Sequence, residues 1–338
     1  MKFLVAVASL LLFLQAPIER RPPQEPPVTT IKVQTRLINV PLNVADQHGV
    51  PVPNLTIDDF TLAEDGKPQK IALFERETSA PLSIVLAIDA SESVLRDESL
   101  ERSAAKHFIK ALLRPQDELD LMDFSDTVRE IVPFTSDQRR IETGLGELQR
   151  GDATALYDAI YLASQRLGEA HVPQQPKPKP QGRSRSSQIT PQTDTPEDLR
   201  RRVIVLITDG GDTVKGARYG QALEQAQRAG AMVYSLIIVP VEADAGRNTG
   251  GEHALIQMAE DTGGKYYYVS DKRDLEPALR RVSDDLRTQY LLGYYAPPRD
   301  PERDEPSALR TVTIKLKDPT LAAKSDLRYR KSYYGSTQ

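Results

Sequence analysis

Ile84-Val85-Leu86-Ala87-Ile88-Asp89-Ala90-Ser91-Glu92-Ser93 is the stretch on which the fold of this chain turns. An apolar run with no polar interruption is what a strand covered on both faces of a parallel sheet requires, whereas a half-exposed strand alternates. The run stops at an acid followed by two serines, in the spacing D-x-S-x-S. Ligands of open α/β sheets sit beyond the carboxyl ends of the strands, where neighbouring loops diverge. Asp89 stands at such an end. The plain alternative for Ser91 and Ser93 is capping of the helix that follows.

Outward from this strand, Leu100, Ala104, Phe108, Ala111 and Leu112 mark one face of an amphipathic helix that ends at Pro115. Leu119–Met122 and Val128–Val132, joined by Ser125-Asp126, predict a hairpin at the sheet edge. A further helix buries Leu156, Ala159, Ile160, Ala163 and Leu167, and Thr154 lies in the loop that opens it. Continuous apolar strands follow at 203–207, 232–239 and 266–269, with helices near 217–229, 252–261 and 273–288. Asp209, in Ile207-Thr208-Asp209-Gly210, ends the first of these strands as Asp89 ends its own. Strand–helix alternation of this kind predicts a doubly wound α/β domain over 79–288. Residues 172–200, rich in Pro, Gln and Ser with Lys177, Lys179, Arg183 and Arg185, are expected to form a disordered insertion. It enters at the amino end of a strand, away from the edge that carries Asp89 and Asp209, and its basic residues serve solvation.

Both flanks change period. Ile31, Val33, Leu37, Val40, Leu42 and Val44 alternate, and turns at 46–49 and 64–67 bracket further short strands within 31–78. Alternation returns in 289–338, at 290–295, 312–316 and 327–334. Nine of the 13 tyrosines lie beyond residue 260, which suits half-buried strand packing better than an aromatic ligand platform. Flanks of roughly 45–50 residues bury too little surface to fold alone without a disulfide or metal. They are therefore expected to pair into one β-sandwich, with the α/β domain inserted between them.

Three features converge: D-x-S-x-S after the first buried strand, Thr154 opening a later helix, and Asp209 ending another buried strand. Together they resemble the metal-ion-dependent adhesion site of the von Willebrand factor A (vWA) and integrin I-domain family, over about 80–288. The resemblance implies a Rossmann-like vWA domain in which Ser91, Ser93 and Thr154 supply hydroxyl ligands. Asp89 and Asp209 would reach the metal directly or through water. It implies Mg²⁺, or Mn²⁺ or Ca²⁺, as cofactor and a protein partner that offers an Asp or Glu carboxylate. Neutral hydroxyls leave much of the +2 charge uncompensated, so an open coordination position favours an anionic guest oxygen. Glu92 departs from the small residue usual in the family and bears on ligand preference. The segments Phe60–Gly66 and Arg328–Tyr334 resemble vWA-related proteins typical of Acidobacteria. Asp152 and Asp212 lie near the same rim and read as exposed loop acids.

The chain has 338 residues, a net charge of -4 and no cysteine. Disulfides, thiolate metal sites and a cysteine nucleophile are excluded, and there is no electrostatic footprint for nucleic acid. Lys2, the apolar run Phe3–Leu14 and Ala16 read as an export signal at 1–16, followed by a flexible Pro-, Arg- and Glu-rich spacer at 17–30. As a helix the apolar run would span roughly 21 Å against about 30 Å of bilayer hydrocarbon. Pro17 leaves an uncleaved anchor open, and that anchor is the one membrane contact envisaged. The expected location is periplasmic, secreted or envelope-associated. No G-x-S-x-G elbow or phosphate-cradling loop is present, and His48, His107, His171 and His253 are scattered. A binding protein is expected, and not an enzyme; the alternative is an assembly subunit whose metal only stabilises loops.

Overall fold

The computed structural model describes residues 36–76, 80–91, 98–169, 200–239, 248–297 and 309–334. The expected export signal and spacer, the body of the 172–200 insertion, and Glu92 and Ser93 lie outside these residues. In the amino-terminal flank β1 spans Arg36–Asp46, β2 Phe60–Glu64, β3 Lys67–Gln69 and β4 Ile71–Glu75. Then come β5 (Leu82–Asp89), α1 (Glu98–Leu112), β6 (Glu118–Phe124), β7 (Val128–Thr135), α2 (Gln138–Gly144) and α3 (Leu156–Glu169). They are followed by β8 (Arg201–Thr208), α4 (Tyr219–Ala229), β9 (Ala231–Ile238), α5 (Thr249–Thr262), β10 (Tyr266–Val269) and α6 (Leu275–Arg287). The carboxyl-terminal flank holds β11 (Tyr290–Ala296), β12 (Leu309–Leu316), α7 (Pro319–Lys324), β13 (Ser325–Tyr329) and β14 (Ser332–Tyr334).

The central sheet runs β10-β9-β8-β5-β6-β7. Every neighbouring pair is parallel except β6–β7, the antiparallel edge hairpin. All eight residues of β5 are buried, because helices cover both faces of the sheet. Alternation of apolar and polar residues is absent from the strand for that reason. Ile84, Leu86 and Ile88 pack toward α1 and α6. Val85 and Ala87 pack with residues of α3, α4 and α5 on the opposite face. The domain is a mixed α/β sandwich of helix, sheet and helix, doubly wound as its alternation implies.

The two flanks pair with each other. One sheet runs β13-β1-β11-β4 and the other β14-β12-β2-β3, so each contains strands from both ends of the chain. Val40, Leu42 and Leu292 from the first sheet and Phe60, Leu62 and Ile314 from the second share one buried core. Pro41 lies in β1 where only β11 pairs alongside, since β13 joins from Leu42 onward; a missing N–H is tolerated at such an edge position. The stretch 327–334 reads as one strand in sequence but divides into β13 and β14, which belong to different sheets. Helix α7 has no apolar period to announce it. It rests on Asp318, whose carboxylate accepts from the Thr320 and Leu321 amides, and on Pro319 at its first turn.

Only Thr288 and Gln289 separate α6 from β11, and the joint is stitched by buried polar side chains. The Gln289 amide donates to Asn43 Oδ1 at 2.8 Å, and Arg201 donates to Gln289 Oε1 at 2.8 Å and to the Leu286 carbonyl at 2.6 Å. Asp285 at the end of α6 accepts from Tyr234 Oη at 2.8 Å and from Arg328 Nη2 of β13 at 2.6 Å. Among the described residues no helix is long and apolar enough to cross a membrane.

Candidate metal centre

Parallel pairing of β5 with β8, in register at Ile88 and Ile207, sets Asp89 level with Thr208 and Asp209 one residue further on, both at the carboxyl end of the sheet. The Asp89 carboxylate is fully buried. Its Oδ1 accepts the Ser91 amide at 3.0 Å and its Oδ2 accepts the Thr208 hydroxyl at 2.7 Å. The Gly210 amide donates in turn to Thr208 Oγ1 at 3.1 Å, and the Gly211 amide to Asp209 Oδ1 at 3.0 Å. A turn this tight needs Gly210, whose φ is +84°.

Two further segments close on this turn. Ser91 forms an isolated parallel bridge with Gly151, and the Gly151 amide donates to the Ala90 carbonyl at 3.3 Å, which draws the 151–154 loop to the end of β5. Thr154 is then tied to the loop after Asp209: its amide donates to Thr213 Oγ1 and its carbonyl accepts from the Thr213 amide, both at 2.8 Å. Thr154 Oγ1 and Asp209 Oδ1 lie 3.9 and 3.2 Å from the point a Cβ on Gly211 would occupy. Asp89, Ser91, Thr154 and Asp209 thus meet at one rim of the sheet.

Burial pushes the Asp89 carboxyl up to about 6, against the pull of hydrogen bonds from Ser91 and Thr208, and the neighbouring Asp209 charge adds to the rise. Among the described residues neither acid forms an ion pair, so a buried and a half-buried carboxylate share the rim without a cation from those residues. A hard divalent ion fits that deficit and this donor set, which is all oxygen: two carboxylates and the hydroxyls of Ser91 and Thr154. Among the described residues there is no group of three or more His, Cys, Asp or Glu able to hold a metal.

Sequence reasoning missed several supports of the rim. Thr208 was legible as part of Thr208-Asp209-Gly210 but not as the hydroxyl that orients Asp89. Asp123 accepts from Arg129 and, at 2.8 Å, from the Gln149 amide, so it anchors the loop leading to Gly151. Asn248 donates to the Gly210 carbonyl at 3.1 Å from across the rim. Of the two extra rim acids, Asp152 is exposed as expected. Asp212 is half-buried instead, because its carboxylate accepts the Tyr157 amide at the start of α3. Beside the rim, a shallow cleft of about 490 Å³ opens between the β6–β7 turn, α3 and the 214–216 loop. Asp126, Val128, Asp158, Tyr161, Leu162 and Lys215 line it. His48, His107 and His253 are exposed, and His107 contacts Glu276 at 3.0 Å.

A doubly wound sheet of this order, entered by the β5 run and left after Asp209, is the architecture of a von Willebrand factor type A domain, and that family matches residues 84–212. The α/β domain that holds this matching stretch is set within the sandwich made by the flanks. The chain is 25% identical over 196 residues to human calcium-activated chloride channel regulator 4, covering 56% of this chain. The chain spans 17% of the length of that relative. Similar solved structures include a von Willebrand factor type A protein from Catenulispora acidiphila, with a TM-score of 0.47 and 11% identity over 90% of this chain and 76% of that one. Another is the conserved protein BatB from Bacteroides thetaiotaomicron, with a TM-score of 0.42 and 19% identity over 60% of this chain and 98% of that one.

Proposed function

We propose that this protein binds a protein partner through a divalent metal held at the rim, with the partner supplying an Asp or Glu carboxylate to complete the coordination. The observation that carries the reading is the convergence of two acids and two hydroxyls on one edge, with no protein cation among the described residues to balance them. Asp89 and Asp209 would hold Mg²⁺ or Mn²⁺, directly or through water, and Ser91, Ser93 and Thr154 would offer neutral oxygens. When bound, the ion supplies an uncompensated positive charge that attracts an anionic oxygen. The protein's part is to fix the hydroxyls and acids in place through the Thr208, Gly211 and Thr213 hydrogen bonds. The adjoining cleft gives the rest of a partner surface somewhere to seat.

Catalysis is not part of this proposal. Water activation by a metal favours His or several carboxylate ligands, and the hydroxyl-rich set serves it poorly. We place the protein outside the cytoplasm, on the export-type amino terminus, and take 79–288 as the vWA domain between flanks 31–78 and 289–338.

Calorimetric titration with Mn²⁺ tests the metal step on the full chain. Wild type is expected to bind, to gain about 2.7 kcal/mol of stability at a hundredfold excess over Kd, and to lose binding in Asp209→Ala without unfolding. Unchanged affinity in Asp209→Ala would remove that residue from the site and the proposal with it. Affinity capture from envelope extract in Mg²⁺, in EDTA and with Asp209→Ala tests the partner step. Retention in EDTA would instead favour a permanent assembly subunit.

A further inference from the structure

We infer that Gly251 and Asn248, at the start of α5, are positioning residues for the metal rim: they hold the Gly210 peptide and so aim the acids on either side of it. The inference rests on the metal-binding reading above and assigns it residues from an element that supplies no ligand.

The contact is one of backbone against backbone. A Cβ built on Gly251 would overlap the Gly210 carbonyl oxygen and lie 2.7 Å from its carbon, so only a residue without a side chain lets α5 come this close. Seen from the other side, a Cβ on Gly210 would meet the Gly251 carbon and the Glu252 nitrogen at 3.1 Å. Asn248 bolts the two together. Its Oδ1 accepts the Gly251 amide at 3.0 Å, capping the helix, while its Nδ2 donates to the Gly210 carbonyl at 3.1 Å. One side chain thereby satisfies a helix end and grips the loop after β8.

Gly210 is the residue whose position matters most to the rim. It follows Asp209 directly, and its amide donates to Thr208 Oγ1, whose hydroxyl donates to Asp89 Oδ2. Shifting the Gly210 peptide therefore moves Asp209 through the chain and loosens Asp89 through Thr208. Two acids from different strands are referred to one clamp. Outer partners that orient ligands are worth tens of fold in metal affinity where they have been removed.

Gly250 provides the internal control. It is the preceding residue of the same first turn, and a Cβ there would meet only Asn248 Oδ1, at an ordinary 3.8 Å. Both glycines carry the same helix propensity, so alanine at either makes the same intrinsic contribution. Only the approach to Gly210 differs.

The test compares Gly250→Ala, Gly251→Ala, Asn248→Ser and Asp209→Ala in the full chain, by Mn²⁺ calorimetry and by thermal melting in EDTA. Serine keeps the helix cap but is too short to reach Gly210. Gly250→Ala is expected to bind Mn²⁺ as wild type does. Gly251→Ala should lose at least tenfold in affinity and Asn248→Ser at least threefold, with the Asn248→Ser melt in EDTA unchanged. If Gly251→Ala fails to fold, Asn248→Ser decides. Wild-type affinity in Asn248→Ser, or in a folded Gly251→Ala, would overturn the positioning role while leaving the metal reading intact. Wild-type affinity in Asp209→Ala would instead bring down the metal reading and the inference together.

Discussion

Two buried acids, Glu64 in the sandwich and Asp89 at the vWA rim, meet burial in opposite ways. The Glu64 carboxylate lies between the sheets and takes the hydroxyls of Tyr294 at 2.5 Å and Tyr333 at 2.7 Å, together with the guanidinium of Arg310. Those three partners come from β11, β14 and β12, so one acid from the amino-terminal flank is closed around by the carboxyl-terminal flank. Asp89 is as deeply buried, yet its partners are neutral, the hydroxyls of Thr208 and Ser91 and the Ser91 amide. The contrast teaches how to tell a staple from a candidate site: the first has its charge matched by neighbouring side chains, whereas among the described residues no cation matches the second.

The largest effect that would sharpen this contrast is expected for Glu64→Ala, which strands Arg310 and two tyrosine hydroxyls. Denaturant melts should show a loss of about 3–5 kcal/mol, with Mn²⁺ affinity of the folded fraction unchanged. A parallel loss of metal affinity would mean that the two acids are not independent.

Next comes the pH dependence of the metal-free protein. Native Asp89 keeps its proton to about pH 6, while an unfolded Asp gives it up near pH 3.9. The native state therefore binds more protons in that window, and stability in EDTA falls as pH rises from about 4 to 6, by up to ~3 kcal/mol. A bound cation favours the ionised form, so saturating Mn²⁺ should abolish or reverse this loss. Urea melts at pH 4.5 and 6.5 with and without Mn²⁺ would contradict the contrast if the ion left the slope untouched.

Smaller again is Tyr294→Phe, which removes one charge-assisted hydrogen bond from Glu64 and should cost about 1.5–3 kcal/mol by the same melts. The last test concerns a third buried acid. Asp120 on β6 is fully buried, and burial first, then Glu130, pushes its carboxyl well above the usual range. Its value, raised to about 8, gives a metal-independent fall in stability as pH rises from about 4 to about 8. Asp120→Asn should remove it, so the variant gains on wild type by at most ~1.4 kcal/mol per pH unit. Equal slopes in the two proteins would show that Asp120 is ionised in the native state.

How much of this was legible in the chain depends on what kind of contact was at stake. The β5 and β8 runs could be read because strands covered on both faces lose alternation, and their ends located Asp89 and Asp209. Pairing of the flanks followed from size, since neither could bury a core alone. The division of 327–334 between two sheets was not legible: Arg330 and Lys331 break no pattern of alternation, and only the crossing itself reveals them. The start of α5 was expected near 252 and falls at Thr249, because Gly250-Gly251 reads as a loop until Asn248 is seen to cap it. Gly251 carries no side chain for periodicity to register. Side-chain patterns report what is buried, and say little about which backbones touch.

The joint between Asn43 and Gln289 has a consequence for how the molecule is made, since these hydrogen-bonded residues stand 246 positions apart. Synthesis at roughly 5–20 residues per second puts on the order of ten to fifty seconds between the appearance of β1 and that of its partner β11. During that interval Val40, Leu42 and Val44 have no sheet to join and offer a naked strand edge to any neighbouring chain. The inserted domain can fold in the meantime and bring the severed halves within reach. Until then the nascent amino-terminal segment carries an unpaired edge that aggregation could exploit.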